Sequence, residues 1–450
     1  MASSRKSISA ELQGSVAARI APLLPNGSRI LVGLSGGVDS VVLLHLLAAF
    51  APRYSWRLAA LHVHHGISRN ADDWARFCAG LCADLNIPLT IEHVDIDPLR
   101  AHGIEAAARK LRHAAFAKQS CDFVALAHHS DDQVETLFLQ LLRGAGVRGA
   151  SAMPGLSSGG LIRPLLHSSR EEILAYADEH GLEWIEDESN ADDSYPRNFL
   201  RHRLLPLLAE KFPAYRETLS RSTRHFAEAG ELLDDLARID AEQSLNADAL
   251  SVATLQSLSH ARAKNLLRYY LYQQGAPMPQ VVQLDDMLSQ LCTAREDASV
   301  CVAFGGNWQV RRYRGSVYAL RALGEFDCNA VFAWAGQSEI DWPALHLSVA
   351  FRQGTGQGIS LAKLQQAAVT LRYRQGGESL RPNLNASTRT LKNLLQEHAV
   401  PPWRRDRLPL LYCGDELVCI PDVAIAAEYQ AKAGEASLAV SLSNKAQACE

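Results

Sequence analysis

No apolar run in this chain is long enough to cross a bilayer. The longest, such as Val41 to Phe50, is interrupted by His45 and falls short of the roughly 20 residues a spanning helix needs. The start, MASSRKSISAELQG, has charges but no apolar stretch behind them, so a secretory leader is not expected. Nine cysteines, an odd number, include no CxxC pair and no Cys/His spacing of the structural-zinc kind. Only Cys78 and Cys82 fall close together, four apart on an expected helix, where they would face a core or groove as free thiols. A disulfide framework is therefore not expected, and the cytoplasm is the expected compartment, with no membrane partner. Charge of one sign is also missing: the formal net charge is -4, so a nucleic-acid surface has to be local. Internal repeats and low-complexity tracts are absent. What remains is 450 residues, 47% of them hydrophobic, enough for about three domains with cores of their own.

The most informative stretch is Arg29 to Ala49. Arg29 to Leu34 is an apolar run of strand length and Val38 to Ala49 a longer apolar run of helix length, with Ser35-Gly36-Gly37-Val38-Asp39-Ser40 between them. Adjacent glycines let successive N–H groups point into one concavity, and the following helix adds its positive end, which makes a phosphate cradle. A Walker loop ends in Gly-Lys-Ser/Thr; this one has no lysine, which disfavours a kinase or GTPase. Asp39 is instead placed to hold a magnesium ion bridging phosphates, with the Ser35 and Ser40 hydroxyls donating to phosphate oxygens. The plainer alternative is a strand-to-helix turn in which Asp39 and Ser40 cap the helix. SGGVDS resembles the signature loop of the ATP pyrophosphatases, the PP-loop superfamily, which split ATP into AMP and pyrophosphate while activating a carbonyl oxygen as its adenylate.

Downstream, strands are expected at Leu58 to Val63, Leu89 to Val94 and Phe123 to Ala127, alternating with helices at Asn70 to Leu85, Ile104 to Lys118 and Asp131 to Leu142. That alternation predicts an α/β fold with an open parallel sheet, helices on both faces and ligands at the carboxyl ends of the strands. His62-Val63-His64-His65 invites a metal reading, but no acidic or cysteine partner sits at ligand spacing, and a nucleotide-side loop fits better. Glu105, Arg109, Lys110 and Arg112 read by themselves as a solvated helix face. In Ala127-His128-His129-Ser130-Asp131-Asp132-Gln133-Val134-Glu135-Thr136, Asp132 and Glu135 lie three apart on a helix and share a face one turn from a strand end, where they can bind a cation. Capping of the helix by Asp131 or Asp132 is the structural alternative, but it explains neither the paired histidines nor Glu135. Arg143, Arg148, Arg163 and Arg170 then fall in a Gly- and Ser-rich interval without an acid, which reads as a basic loop able to follow a phosphate backbone. A helix is expected from Ser169 to His180, before the acidic Trp184-to-Ser194 stretch, which alone would pass for a solvated loop.

AHHSDDQVET with the RGAGVRG that follows, RPLL, and DESNADDSYPRNFLR occur after SGGVDS in the order of the tRNA(Ile)-lysidine synthetase family, which the chain resembles over essentially its whole length. His113, where the family more often has tyrosine, is a small departure. The resemblance implies a PP-loop domain of the adenine nucleotide α-hydrolase type over residues 1–210, a mainly helical tRNA-binding domain over 215–330 and a small α+β tRNA-binding domain over 365–450. Helical periodicity from Tyr215 to Leu245 and Ala261 to Cys292 agrees with the second of these. Paired strands are expected from Cys301 to Leu320 around a Gly305-Gly306-Asn307 turn, and Arg352 to Gly358 reads as a linker. From Leu371 to Arg407 eight basic residues stand against three acids, a local excess of five, beside a Pro401-Pro402-Trp403 elbow. Trp403 is there either core or base platform.

The reaction so implied joins L-lysine to C2 of the wobble cytidine of the CAU-anticodon isoleucine tRNA through an adenylated cytidine, with ATP and Mg2+. ATP would be held by Ser35, Gly36, Gly37, Val38, Asp39 and Ser40, with magnesium at Asp39. Lysine would be held by Arg109, Arg112, Asp132 and Glu135. Asp39, His128, Asp132, Glu135 and Arg201 would form the catalytic set, and Arg143, Arg148, Arg197, Arg389, Lys392 and Arg404 would meet tRNA. A homodimer is left open. The rivals are a tRNA thiolase of the same superfamily, disfavoured by the missing CxxC pair, and an ATP-sensing RNA-binding protein without chemistry.

Overall fold

The computed structural model describes residues 8–66, 68–96, 104–157, 159–242, 244–246, 249–295, 298, 300–384 and 387–444. The first seven residues of the charged start and Cys449 lie outside them, as does the side chain of Glu105. The chain divides into two compact units, Met1–Leu233 and Asp234–Glu450.

In the first unit α1 (Ile8–Ile20) leads to β1 (Arg29–Gly33), α2 (Val38–Tyr54), β2 (Arg57–His64), α3 (Ala71–Asp84), β3 (Leu89–His93), α4 (Ile104–Ala117), β4 (Phe123–Ala125), α5 (Ser130–Leu142), the single turn α6 (Val147–Ala150), β5 (Leu161–Ile162) and α7 (Arg170–Glu179). After it come α8 (Pro196–Phe199), a π-helical turn Leu200–Leu204, α9 (Leu205–Lys211) and α10 (Tyr215–Glu242). The five strands are all parallel, in the order β3-β2-β1-β4-β5. Alternation along β1 divides the core. Ile30, Val32 and Leu34 enter the cluster built with α1, α2, α3 and α7, while Leu31 enters the opposite one with Leu61, Ala115, Phe116 and Leu126. Helix α2 is apolar nearly all round because it lies inside: Val41, Val42, Leu43, Leu44, Leu46 and Leu47 are each at most 1% exposed. Each such side chain is worth about 1.5–3 kcal/mol of burial, so this helix holds the loop before it rigidly against the sheet. The helix ends where Pro52 meets Ser55, whose left-handed backbone (φ 56°) turns its N–H back to Ala51 O.

The expected free thiols are as read: Cys78 and Cys82 are buried on one face of α3 and unpaired. Among the described residues no helix is long and apolar enough to cross a membrane.

The second unit contains helices Val252–Ser257, His260–Gln273 and Val281–Thr293, with a core of their own. These pack with five short strands, among them Cys301–Phe304, Trp308–Tyr313 and Ser316–Arg321, so the middle region is helical with a sheet attached. The Gly305-Gly306-Asn307 turn closes the first hairpin, Phe304 facing Trp308. A second, unforeseen hairpin turns at Arg314-Gly315, both with positive φ (49° and 72°), the geometry of a two-residue turn. Among the described residues the C-terminal region is built on antiparallel sheets of five, four and two strands. Here the linker reading of Arg352 to Gly358 is corrected: Leu347–Thr355 is a strand, paired along its full length with Ala436–Asn444. Its glycines are not slack. Gly358 has φ +120°, and a Cβ there would stand 2.7 Å from Leu438 O, so the residue permits the close approach of two strands.

Candidate active site

The sheet order decides what meets what. The chain leaves β1 towards β2 and β3, then returns to lay β4 on the other side of β1, so the topological switch point falls between β1 and β4. The loop after β1, Ser35 to Gly37, and the segment after β4, Leu126 to His129, thus border one crevice at the carboxyl ends of the strands.

The loop is braced from within. Ser40 Oγ donates to Gly37 O (2.9 Å), accepts from Ser35 N (3.2 Å) and lies 3.1 Å from Ser35 Oγ. Gly36 sits at φ +89°, where a Cβ would come within 2.7 Å of Ile185 Cδ1; the Ile185 N–H in turn donates to Gly36 O (2.9 Å). The amino end of the acidic stretch therefore rests on the phosphate loop. Gly37 caps α2 without a side-chain acceptor, which leaves the first-turn N–H groups facing the crevice.

Asp39, in the first turn of α2, has one oxygen in company and one alone. Its Oδ2 lies 3.4 Å from Arg170 Nη1 and 3.8 Å from His129 Nε2, while Oδ1 is buried with no hydrogen-bond partner. Burial raises this carboxyl above its usual range, with His129 and Arg170 pulling the other way. A half-buried carboxylate with one oxygen buried and unpartnered, beside a phosphate loop, suits a hard divalent cation. The histidines of β2 do not gather one: His62 Nδ1 is 2.9 Å from Leu34 O, His64 Nε2 is 3.0 Å from Asp72 Oδ1, and no metal-ligand cluster occurs among the described residues.

His129, which sequence reasoning passed over for His128, is 2% exposed and stands among three carboxylates: Nε2 is 3.8 Å from Asp39 and 3.5 Å from Asp132, and Nδ1 is 3.6 Å from Asp131. Burial alone would lower its pKa, but the carboxylates of Asp131, Asp132 and Asp39 around it raise it. Both acids also cap. Asp132 Oδ2 accepts from His129 N (3.0 Å) at the start of α5, and Asp131 Oδ2 accepts from Arg170 N (3.2 Å) at the start of α7. Asp131 pairs in addition with Arg216 of α10.

Asp132 and Glu135 do share the crevice face, but arginines already stand on them. Arg201 holds Glu135 with two bonds (2.7 and 3.1 Å) and reaches Asp132 Oδ1 at 3.5 Å. Arg197 Nε lies 3.1 Å from Glu135 Oε2, and its Nη2 donates to Thr136 Oγ1 (2.9 Å). Glu135 is fully buried; burial raises its carboxyl, against the pull of Arg201, Asp132 pushing with burial and Arg197 against it. Arg197, read from sequence as a tRNA contact, thus turns inward. The π-helical turn that carries Arg201 is tied down by the acidic stretch: Asp193 accepts from Arg203 Nε (2.8 Å) and lies 2.8 Å from His202 Nδ1. That stretch is not merely solvated.

Arg109 and Arg112 are exposed on α4, at the rim. Arg109 is close enough to help lower the pKa of His128, and Arg112 that of His65. His128 falls to about 4, by burial first, with Arg163, Arg197 and Arg109 adding to it and Asp132 opposing. Of the basic interval, Arg143 is exposed and Arg148 half-buried, whereas Arg163 is buried and Arg170 faces Asp39. In the other unit Arg389 pairs with Glu397, and Lys392 and Arg404 are exposed. Trp403 is half-buried, with the Arg311 guanidinium 5.3 Å from its ring and Tyr313 and Tyr318 meeting it edge-on at 6.1 and 5.6 Å. It is therefore part of a packed seam and not an open platform.

Three family models match the chain: a PP-loop domain over residues 9–208, a TilS substrate binding domain over 250–318 and a TilS substrate C-terminal domain over 369–442. The chain is 45% identical over 420 residues to a tRNA(Ile)-lysidine synthase of Nitrosomonas europaea, covering 92% of each. It is 36% identical over 417 residues to that of Coxiella burnetii (92% of each), and 41% identical over 413 residues to that of an Azoarcus species (91% of this chain, 90% of the other). A solved U34-tRNA thiolase from Methanococcus maripaludis aligns at 19% identity over 50% of this chain and 81% of its own, with a TM-score of 0.44, too distant to bear on function.

Proposed function

The chain belongs to the tRNA(Ile)-lysidine synthase family, a family of ATP-using tRNA-modifying ligases, and from that premise we propose the reaction its residues carry out. The substrates are ATP, L-lysine and the isoleucine tRNA with a CAU anticodon; the products are lysidine at the wobble position, AMP and pyrophosphate. The observation that carries the reading is the meeting, at the β1/β4 switch point, of a phosphate loop bearing the half-partnered Asp39 with the carboxylates Asp132 and Glu135.

The loop N–H groups from Ser35 to Ser40 and the amino end of α2 hold the triphosphate of ATP, with Arg170 beside Asp39. Magnesium fits at Asp39, whose free Oδ1 is a hard donor, and supplies charge neutralisation to the phosphates. The cytidine O2 attacks the α-phosphorus and pyrophosphate leaves, a step governed by positioning and electrostatic stabilisation. Asp132, whose contact with Arg201 is long and single (3.5 Å), takes the ammonium of lysine, with Glu135 beside it. Arg109 and Arg112 face its carboxylate. The deprotonated ε-nitrogen then attacks C2 and AMP leaves, with neutral His128 against the adenylated base. Binding of tRNA falls to Arg143 and Arg148 on the catalytic domain (1–210), to the middle domain (215–330), and to Arg389, Lys392 and Arg404 in the C-terminal domain (365–450). The cytoplasm completes the reading.

The test is stoichiometric, lysine-dependent pyrophosphate release on a CAU-anticodon tRNA transcript, with Asp39→Ala as the control that binds tRNA but no longer forms the adenylate. Dependence on a sulfur donor would identify a thiolase, and ATP binding without product a sensor.

A further inference from the structure

Of the histidines in the run His62-Val63-His64-His65, only His62 is buried, at 4% exposed. Alternation along β2 puts it on the same face as Ala60, whose cluster takes in α2 and α3, and opposite Leu61. A polar ring at that depth is costly unless it is hydrogen-bonded. Its partner is Leu34 O, 2.9 Å from Nδ1. A carbonyl can only accept, so the ring proton lies on Nδ1, and Cys78 Sγ, 3.5 Å from the same nitrogen, is at most a weak second acceptor. Burial lowers the pKa of the ring; the Leu34 carbonyl pulls the other way, and His64 and His93 push with burial, which leaves the imidazole neutral at physiological pH.

The bond falls on one particular peptide. Strand β1 ends at Gly33, and Leu34 is the last residue before the phosphate loop. The C=O and N–H of a trans peptide point in opposite directions, and side chains hold both ends of the Leu34–Ser35 unit. The C=O accepts from His62 on β2, while the N–H donates to Ser40 Oγ on α2 (3.2 Å). A peptide plane held at both ends cannot rotate. The next residue is confined as well, since a Cβ on Gly36 would stand 2.7 Å from Ile185 Cδ1 and 3.4 Å from Cys78 Sγ. His64, two residues on, is engaged instead with Asp72 (3.0 Å) and with the His93 ring, 4.5 Å away.

We propose that His62 is a positioning residue for adenylate formation: from the neighbouring strand it clamps the first peptide of the phosphate loop, so that the N–H groups after it are aimed at the triphosphate before ATP arrives. It touches no substrate itself. A loop with two adjacent glycines is otherwise free to sample many conformations and gives up binding energy in settling into one. Donors that are already aimed need no reorganisation as charge develops. The inference rests on reading this loop as the ATP site.

The experiment measures tRNA-dependent adenylate formation in the full chain and in its His62→Leu and His62→Asn variants, with KM for ATP, tRNA and lysine. Leucine keeps apolar bulk and removes the donor, whereas the amide nitrogen of asparagine stands where Nδ1 stood. His62→Leu should lower kcat/KM for ATP by about 5- to 50-fold, the range for a buried acceptor left unsatisfied, and move KM for tRNA and lysine by less than about 2-fold. His62→Asn should stay within about 3-fold of the native chain, because the bond is restored. Should His62→Leu fail to fold, nitrogen resonances of isotope-labelled histidine in the full chain should show a neutral imidazole protonated on Nδ1 that is missing from His62→Asn. Equal losses on all three substrates, no recovery in a folded His62→Asn, or a ring protonated on Nε2 in that signal would overturn the clamp. An active chain indifferent to His62→Leu would refute the clamp alone, and an unaltered chain that forms no adenylate would refute the ligase reading and the clamp with it.

Discussion

Replacing Glu135 by glutamine removes one negative charge from between two arginines while keeping the side chain's shape. Glu135 is fully buried, whereas the Arg201 and Arg197 side chains remain 30% and 26% exposed. Breaking a fully buried pair costs about 3–5 kcal/mol and an exposed one about 0–1 kcal/mol; a pair buried on the acid side alone falls between, at about 2–3 kcal/mol. For a unit the size of Met1–Leu233, each kcal/mol moves the melting temperature by about 2–4 °C, so a drop of about 5–10 °C is expected. With two compact units the chain should not melt in one step. Scanning calorimetry should therefore follow the transition that an unreactive ATP analogue raises, since that ligand stabilises the unit binding it. Arg201→Met should cost a similar amount, and the double variant should lose at least about 1 kcal/mol less than the sum of the two singles. A drop under about 2 °C would refute the reasoning: a carboxyl that burial had left protonated is nearly isosteric with glutamine and would lose nothing.

Asp131 should give the first unit an acid-sensitive component of stability. Burial would raise its pKa, but His129, Arg216 and the Arg170 amide hold it well below the carboxylate range. A depressed folded pKa means the contribution is complete above the unfolded value of about 3.9 and is lost as pH falls towards the folded one. The melting-temperature gap between the native chain and Asp131→Asn should be widest near pH 7 and narrow steadily below about pH 4.5; a gap independent of pH would remove Asp131 from that role. In the C-terminal region, neutralising Lys392 and Arg404 should weaken tRNA binding and flatten its log-log salt dependence by about one unit per lost phosphate contact. Adding Arg389 should contribute less, because Glu397 already pairs with it. Weakened ATP binding in these variants would show instead that the region supports the catalytic sheet.

Local pattern was enough for the phosphate loop and the alternating elements of the first unit, because glycine conformational freedom, β-branching and apolar periodicity act over a few residues. It also placed Asp132 and Glu135 on one helix face, since helical geometry needs no tertiary context. Strand order could not be read that way. That β4 and not β3 lies against β1 follows from a crossover the chain makes over tens of residues, and it alone brings His129 to Asp39. Nor does a basic residue's sequence neighbourhood say whether it faces water: Arg163 and Arg197 looked like Arg143 until the sheet edge and Glu135 drew them in. The glycines of Arg352 to Gly358 misled for a related reason. Composition reports the freedom of an unpaired backbone, and it was the pairing with Ala436–Asn444, some eighty residues on, that made Arg352 to Thr355 a strand.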